Sequence, residues 1–336
     1  MAQKPVLGII LGDAAGVGSE IIAKLCAENF FEEYCRPVLV GDFRVLERAF
    51  SVIGKTASIQ VIDKVEDADW TKGIPMLDRK NVDPAEVPFG VGKVVSGAAV
   101  LDAIDLCVEL FREGKIEGFC FGPFNKAMLK EAGCHYESEH HYIAHLLNHT
   151  APFGEINAVG KVWTTRTTSH IPIKEVSDHL TLESIGRAIT LMYTTLKNAG
   201  FENPKIAVAA LNPHAGENGT CGREEIDVIA PAIEAARAKG VDAYGPFPSD
   251  TLFIKAFRGE FDGVVTMFHD QGQIALKLKG FDEGITIGGG FEIPIVTCGH
   301  GTAYDIAGKG IVKTSSFENA VKMAAQMANA RAAKKA

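Results

Sequence analysis

Three of the ten histidines stand in matching settings. His170 lies in TTSHIPI, His214 in LNPHAGENG and His269 in TMFHDQGQ. Each follows a strand-like run and opens a loop, the edge of an open α/β sheet where ligands collect. Three neutral imidazoles with an open fourth position suit a catalytic divalent ion such as Zn²⁺. Asn212 and Asp270 are placed to orient them. The other reading, three unrelated loop histidines, stays open, because only the fold can bring such distant residues together. A rival stripe occurs in HHYIAHLLNHT, where His141, His145 and His149 fall at i, i+4 and i+8 on one helix face. It lacks the glutamate of an H-E-x-x-H site and also fits a solvated helix face. His300, in CGHGTAYDIAG, stands in a glycine-flanked turn ahead of a predicted helix, where backbone can approach a ligand.

The segment LGDAAGVGSE, residues 11–20, joins a strand-like run to a helix-like one. That is the usual setting of a phosphate or dinucleotide loop. A dinucleotide fingerprint needs G-x-G-x-x-G, and Gly16 and Gly18 are followed by Ile21 where the third glycine belongs. No acidic residue is clearly placed to bind a ribose, although Asp42 ends the second predicted strand. No P-loop pattern occurs either. On pattern alone the stretch reads as a tight turn opening a helix.

The elements that must position these residues alternate in type. PVLGIIL, RPVLVGD, ASIQVI, GFCFGPF, INAVGKVWTT, PKIAVAALN and FDGVVTMF read as strands. Helices are predicted over 19–29, across RVLERAFSVIG, over 97–113 with Gly114 as C-cap, over 177–197, across EEIDVIAPAIEAARAKG, and in the C-terminal SSFENAVKMAAQMANARAAKKA. Such alternation means an α/β fold with mostly parallel sheets. Residues 66–95, rich in Pro and Asp, read as an irregular excursion. A chain of 336 residues is expected to form two domains.

The formal charge of −8 and the lack of a long basic block argue against a nucleic-acid surface. The apolar runs are too short for a membrane span. Seven cysteines with no C-x-x-C pair point to a reduced, cytoplasmic protein.

Taken in order, LGDAAGVGSEI, FGPFNKAML, TTSHIPI, LNPHAGENG..GREEIDVIAPAI, GPFPSDTLF, FHDQGQIALK and GHGTAYDIAGKG resemble the 4-hydroxythreonine-4-phosphate dehydrogenase (PdxA) family. The resemblance runs from about residue 6 to 312. It implies two α/β/α domains with a cleft between them, like isocitrate and isopropylmalate dehydrogenases and without a Rossmann fingerprint. The first domain would take residues 1–128 and 303–336. The second, 129–302, would carry the metal histidines and the interface of a homodimer.

The implied activity is NAD-dependent and divalent-metal-dependent oxidation of a 3-hydroxy carboxylic acid, with decarboxylation. His170, His214 and His269 would hold the ion (Zn, Mn, Mg or Co), shared between subunits. Asp250 is a candidate base, with helix N-cap as its alternative role. Lys126 and Lys277 are candidates for carboxylate or general-acid roles. The glycine turn would become an active-site wall, with Asp13, Gly16, Gly18, His300, Gly301 and Thr302 beside the cofactor and Ser19 capping the next helix.

The substrate positions depart from the family pattern. Glu139 and His140 stand where a His-Thr pair is usual, and Thr286 where an Asn is usual. Ile295 stands where the phosphate-gripping Arg is usual, and only Lys277 survives of the phosphate-side contacts. Loss of a bidentate Arg weakens phosphate binding. The expected substrate is therefore not 4-phosphohydroxy-L-threonine but an unphosphorylated polyhydroxy acid or carboxylated cis-diol. Two other readings remain: a metal-dependent lyase or hydrolase without NAD, and a non-catalytic ligand-binding homologue.

Overall fold

The computed structural model describes residues 4–335. The chain opens with β1 (Val6–Ile10), α1 (Gly18–Ala27), α2 (Phe31–Tyr34), β2 (Arg36–Gly41), α3 (Phe43–Ile53), β3 (Ile59–Ile62), β4 (Ile74–Asp78), α4 (Val94–Arg112), β5 (Gly118–Phe121), α5 (Lys126–Glu131) and α6 (Glu139–Leu147). It continues through β6 (Gly154–Val159), β7 (Val162–Arg166), α7 (Val176–His179), α8 (Leu182–Asn198), β8 (Ile206–Ala209), α9 (Ala230–Arg237), β9 (Ala243–Phe247), α10 (Ser249–Phe257), β10 (Gly263–Thr266), α11 (His269–Gly280) and β11 (Ile285–Gly289). It closes with β12 (Ile295–Cys298) and α12 (Ser315–Lys335).

Two compact units result. One contains the residues up to Thr150 together with those from Ile293 onward; the other is Ala151–Glu292. The junctions thus lie at 150/151 and 292/293 rather than at 128/129 and 302/303. The reason is α6, which packs on α4 in the first unit. Tyr142 Oη donates to Asp105, and Arg112 donates to the Leu146 carbonyl.

In the first unit the strands run in the order β3-β4-β2-β1-β5-β12, all parallel. VLGII and RPVLVG are almost wholly buried, as parallel strands covered on both faces require. The excursion predicted over 66–95 is in part a strand. β4 pairs with both β2 and β3, and its short IPMLD run is hard to read because Pro75 interrupts it.

In the second unit the order is β11-β6-β7-β10-β8-β9. The β11/β6 and β6/β7 pairs are antiparallel and the rest parallel. INAVGKVWTT is therefore not one strand but a hairpin. Gly160, at φ +57°, makes the turn that a continuous apolar run disguises. The predicted 177–197 helix is α7 and α8, separated where Thr181 forms a reciprocal capping box with Ser184. EEIDVIAPAI begins as a π-turn over Glu225–Ile229. No helix directly follows His300; α12 begins only at Ser315.

Among the described residues no helix is long and apolar enough to cross a membrane. All seven cysteines are free and six are buried. Burial pushes the Cys35 and Cys298 thiols up to about 12, which removes them as nucleophiles.

Candidate active site

In the second unit β7, β10 and β8 are adjacent and parallel, so their carboxyl ends open on one edge. Each is followed by one of the three histidines. The loop after β7 is tied to the end of β10, where Thr167 N donates to Thr266 O at 2.8 Å and Thr168 N to Met267 O at 3.0 Å. His170 follows, exposed, and its ring stands 5.7 Å from that of His269. His269 is the first residue of α11, directly after β10. Gln271 fixes this turn, because its Oε1 accepts from Met267 N and its Nε2 donates to Ala210 O, both at 2.8 Å. Ala210 immediately follows β8, so one amide side chain couples two of the three strand ends.

The third loop has an unusual backbone. His214, Ala215, Gly216, Glu217 and Asn218 all adopt left-handed conformations. Within it His214 Nδ1 lies 2.6 Å from Glu217 Oε1. The hydrogen bond and charge of Glu217 raise the His214 pKa above its usual value, with a smaller push from Asp250. Likewise His269 Nδ1 lies 2.7 Å from Asp270 Oδ1. A carboxylate on Nδ1 fixes the ring and leaves Nε2 to a ligand, the usual arrangement around a metal-binding histidine. The donor chemistry therefore fits a divalent ion. Among the described residues, however, no three His, Cys, Asp or Glu already form one metal-holding cluster. The structure brings His170 and His269 together, with His214 on the neighbouring strand end.

Asp250 is the second residue of α10. The N-cap position belongs to Pro248, with no side-chain cap bond, so Asp250 is not the predicted cap. Lys277 is exposed on α11. Thr286, on β11, takes a hydrogen bond from Asn157 Nδ2 at 3.1 Å. Asn157 also accepts from Arg166, whose guanidinium pairs with Glu155 at 2.9 Å and reaches Ser169, the neighbour of His170.

In the first unit Glu139 is the first residue of α6, behind its Ser138 cap. Its side chain is only 7% exposed, with Oε2 3.2 Å from Lys126 Nζ and Oε1 3.8 Å from the buried His140. The rival stripe is engaged locally. His141 bonds Ser138, His145 stacks on Tyr136, and His149 lies beyond the end of the helix, so the three do not share one helix face.

The glycine turn is built against the 299–310 loop. Asp13 is buried and its carboxylate is fully engaged. Oδ1 accepts from Ala15 N and Ser96 Oγ, and Oδ2 from Tyr304 Oη at 2.5 Å. Burial and this bond push the Tyr304 phenol up to about 12. A Cβ on Gly16 would come within 3.0 Å of Thr302 O, and one on Gly18 within 2.4 Å of Leu11 O. Val17 N donates to Thr302 O at 3.1 Å. The turn and Thr302 thus form one surface, with Gly301 exposed and His300 half-buried. Ser19 does not cap α1; Val17 occupies that position, and the Ser19 hydroxyl is buried without a hydrogen-bond partner among the described residues.

Ile295 is wholly buried in β12, paired with Phe119. Glu225, Gln271, Arg166, Ser96 and Tyr304 escaped sequence reasoning. Each works through backbone or side-chain partners distant in sequence. The one available signal was the paired Glu224-Glu225 directly after the His214 block.

Comparison with known proteins gives these arrangements a family. The family model "Pyridoxal phosphate biosynthetic protein PdxA" matches residues 33–324. A D-threonate 4-phosphate dehydrogenase of Cupriavidus necator is 38% identical, over 98% of this chain and 98% of that protein. A 4-hydroxythreonine-4-phosphate dehydrogenase of Desulforapulum autotrophicum is 38% identical over 97% of this chain and 96% of its own. The crystal structure of 4-hydroxythreonine-4-phosphate dehydrogenase from Klebsiella pneumoniae superposes with a TM-score of 0.86 at 34% identity, covering 97% of this chain and all of that one. With its fold and its length both matched, the chain belongs to the PdxA family of dehydrogenases, oxidoreductases acting on CH–OH groups.

Proposed function

We propose that the protein oxidises the 3-hydroxyl of a short hydroxy carboxylate with NAD, using a divalent cation held by His170, His214 and His269, and that the β-keto acid formed loses CO₂. The observation that carries this is the row of three adjacent parallel strand ends, each presenting one of these histidines, two of them with a carboxylate on Nδ1. When bound, the cation would supply Lewis-acid polarisation of the hydroxyl and carboxylate, and NAD would supply the hydride acceptor.

The chain's own residues supply the rest. Glu217 and Asp270 set the imidazoles with Nε2 free. Asp250, close enough to His214 to affect it, takes the hydroxyl proton. In the second unit Lys277 is a cation for an acidic end of the substrate and Thr286 a polar contact; in the first unit the candidates are His140 and the Lys126–Glu139 pair. The surface formed by Gly16, Gly18, His300, Gly301 and Thr302 backs the cofactor, with Asp13 holding it from behind.

The substrate class is a phosphorylated four-carbon hydroxy acid. D-Threonate 4-phosphate and 4-hydroxythreonine 4-phosphate give two relatives their names. An unphosphorylated polyhydroxy acid is the second reading. It is favoured by Ile295, which supplies no cation where the family Arg is usual, and by Glu139, a buried carboxylate paired with Lys126 that can accept from hydroxyls.

A homodimer sharing the metal between subunits is part of the proposal. Ile274, Leu278 and Phe281 form an exposed apolar stripe along α11 and its end, suited to a second copy. The free thiols suit the cytoplasm.

NADH formation tests the reading. D-Threonate 4-phosphate, 4-phosphohydroxy-L-threonine and unphosphorylated D-threonate are offered in turn with Zn²⁺, Mn²⁺, Mg²⁺ or Co²⁺, and with chelator. Metal-dependent NADH from a phosphorylated acid is expected. NADH only from D-threonate selects the second reading. NADH from none of them, with no thermal stabilisation by NAD, overturns the proposal.

A further inference from the structure

The left-handed run that carries His214 cannot be explained by its own residues. His214, Ala215, Glu217 and Asn218 take φ of 53°, 56°, 44° and 56°, with Gly216 at 78° between them. Each non-glycine residue there meets a steric penalty between Cβ and the following carbonyl. Such strain persists only where surrounding structure over-determines it.

The over-determining group is Glu225. It is 3% exposed and begins the π-turn that leads into α9. Its Oε1 accepts from Leu211 N at 2.9 Å and from Asn212 N at 2.8 Å, and its Oε2 accepts from Asn212 Nδ2 at 3.0 Å. The two residues it holds lead directly into Pro213 and His214. It also reaches the middle of the run. A Cβ on Gly216 would lie 2.6 Å from Glu225 Oε2, so only glycine fits beneath the carboxylate. No cation pairs with Glu225 among the described residues. An unpaired buried carboxylate is costly. Here its acceptor capacity is directed to a single loop. π-turns of this kind recur at functional sites.

We infer that Glu225 is the positioning residue of the metal site. It touches no reacting group, but it clamps Leu211 and Asn212 so that the strained loop presents His214 ready to bind. The inference rests on the three-histidine reading above.

The test uses the full-length protein, with Zn²⁺ and Mn²⁺ binding measured by calorimetry and exchange of the 211–221 amides by mass spectrometry. Glu225→Ala should weaken cation affinity by about tenfold or more. It should also speed exchange across the loop while leaving exchange elsewhere unchanged. Glu225→Gln keeps an oxygen for both backbone donors and should restore most of the affinity, a rescue that a general packing defect would not show. If Glu225→Ala fails to fold, Gly216→Ala breaks the same clamp from the other side and should give the same paired loss. A folded Glu225→Ala with wild-type affinity, or with loop exchange unchanged, overturns the inference. His214→Ala separates the two levels. If it leaves cation affinity unchanged, the three-histidine reading fails and takes the inference with it. If it weakens binding while Glu225→Ala does not, only the positioning role fails.

Discussion

At the scale of single residues, the second unit separates side chains that are held by a neighbour from one that is not. Glu217 and Asp270 each commit one carboxylate oxygen to a histidine, and Gln271 commits both atoms of its amide. Asp250 does not. It has no hydrogen bond among the described residues, sits exposed in the first turn of α10, and still raises the pKa of His214. It is not a cap, and its carboxylate is available for the proton-accepting role proposed above. Asp250→Asn should therefore reduce kcat by about 100-fold or more. Cation affinity by calorimetry should stay within about twofold of wild type, since the imidazoles and their carboxylates are untouched. Equal losses in kcat and in metal binding would instead make Asp250 a metal ligand.

At the scale of elements, the glycine turn is an anchorage as much as a wall. Glu20, fully buried in α1, accepts from Gly308 N at 2.6 Å and Gly310 N at 2.8 Å. Arg48 of α3 donates to the carbonyls of Ala14, Pro84 and Val87, and lies over the Phe89 ring at 4.1 Å. Two loops distant in sequence are thus fastened to one turn. Glu20→Ala would leave two amides unpaired inside the first unit and should cost about 2–4 kcal/mol. Urea unfolding measures this loss. A change below about 0.5 kcal/mol would mean that the 308–310 loop finds other partners.

At the scale of the whole molecule, stability against acid and the association proposed above each rest on named groups. Asp42 is the N-cap of α3 and accepts from Arg44 N and Val82 N. Burial would raise its pKa. The Arg44 side-chain bond, the backbone bonds from Val82 and Arg44 and the Arg44 charge outweigh burial and hold the carboxyl below its usual 3.8. A lowered folded-state value stabilises the protein above the unfolded value near pH 4, and that stability is lost as pH falls through the folded one. Asp42→Asn should therefore flatten the acid limb of a pH–stability curve while changing the curve little in shape above pH 5. On α11, Leu278 is 84% exposed, a costly surface unless a second chain covers it. Leu278→Lys should shift the protein toward monomer in light scattering after size exclusion, and an unchanged mass would move the interface off this helix.

The sequence by itself determined much of this. Contiguous apolar runs such as VLGII and PKIAVAALN mark buried parallel strands, because strands covered on both faces need no alternation. The ordered motifs around His170, His214 and His269 marked the family and three candidate loops. What only the tertiary structure decided was adjacency. Nothing in the chain says that β10 lies between β7 and β8, yet that order alone puts the three histidine loops side by side. The buried status of Ile295, the hairpin hidden in INAVGKVWTT and the clamp by Glu225 are likewise facts of long-range contact. Periodicity and motif spacing report the near neighbours of a residue. They carry no information on which distant backbone will come to rest against it.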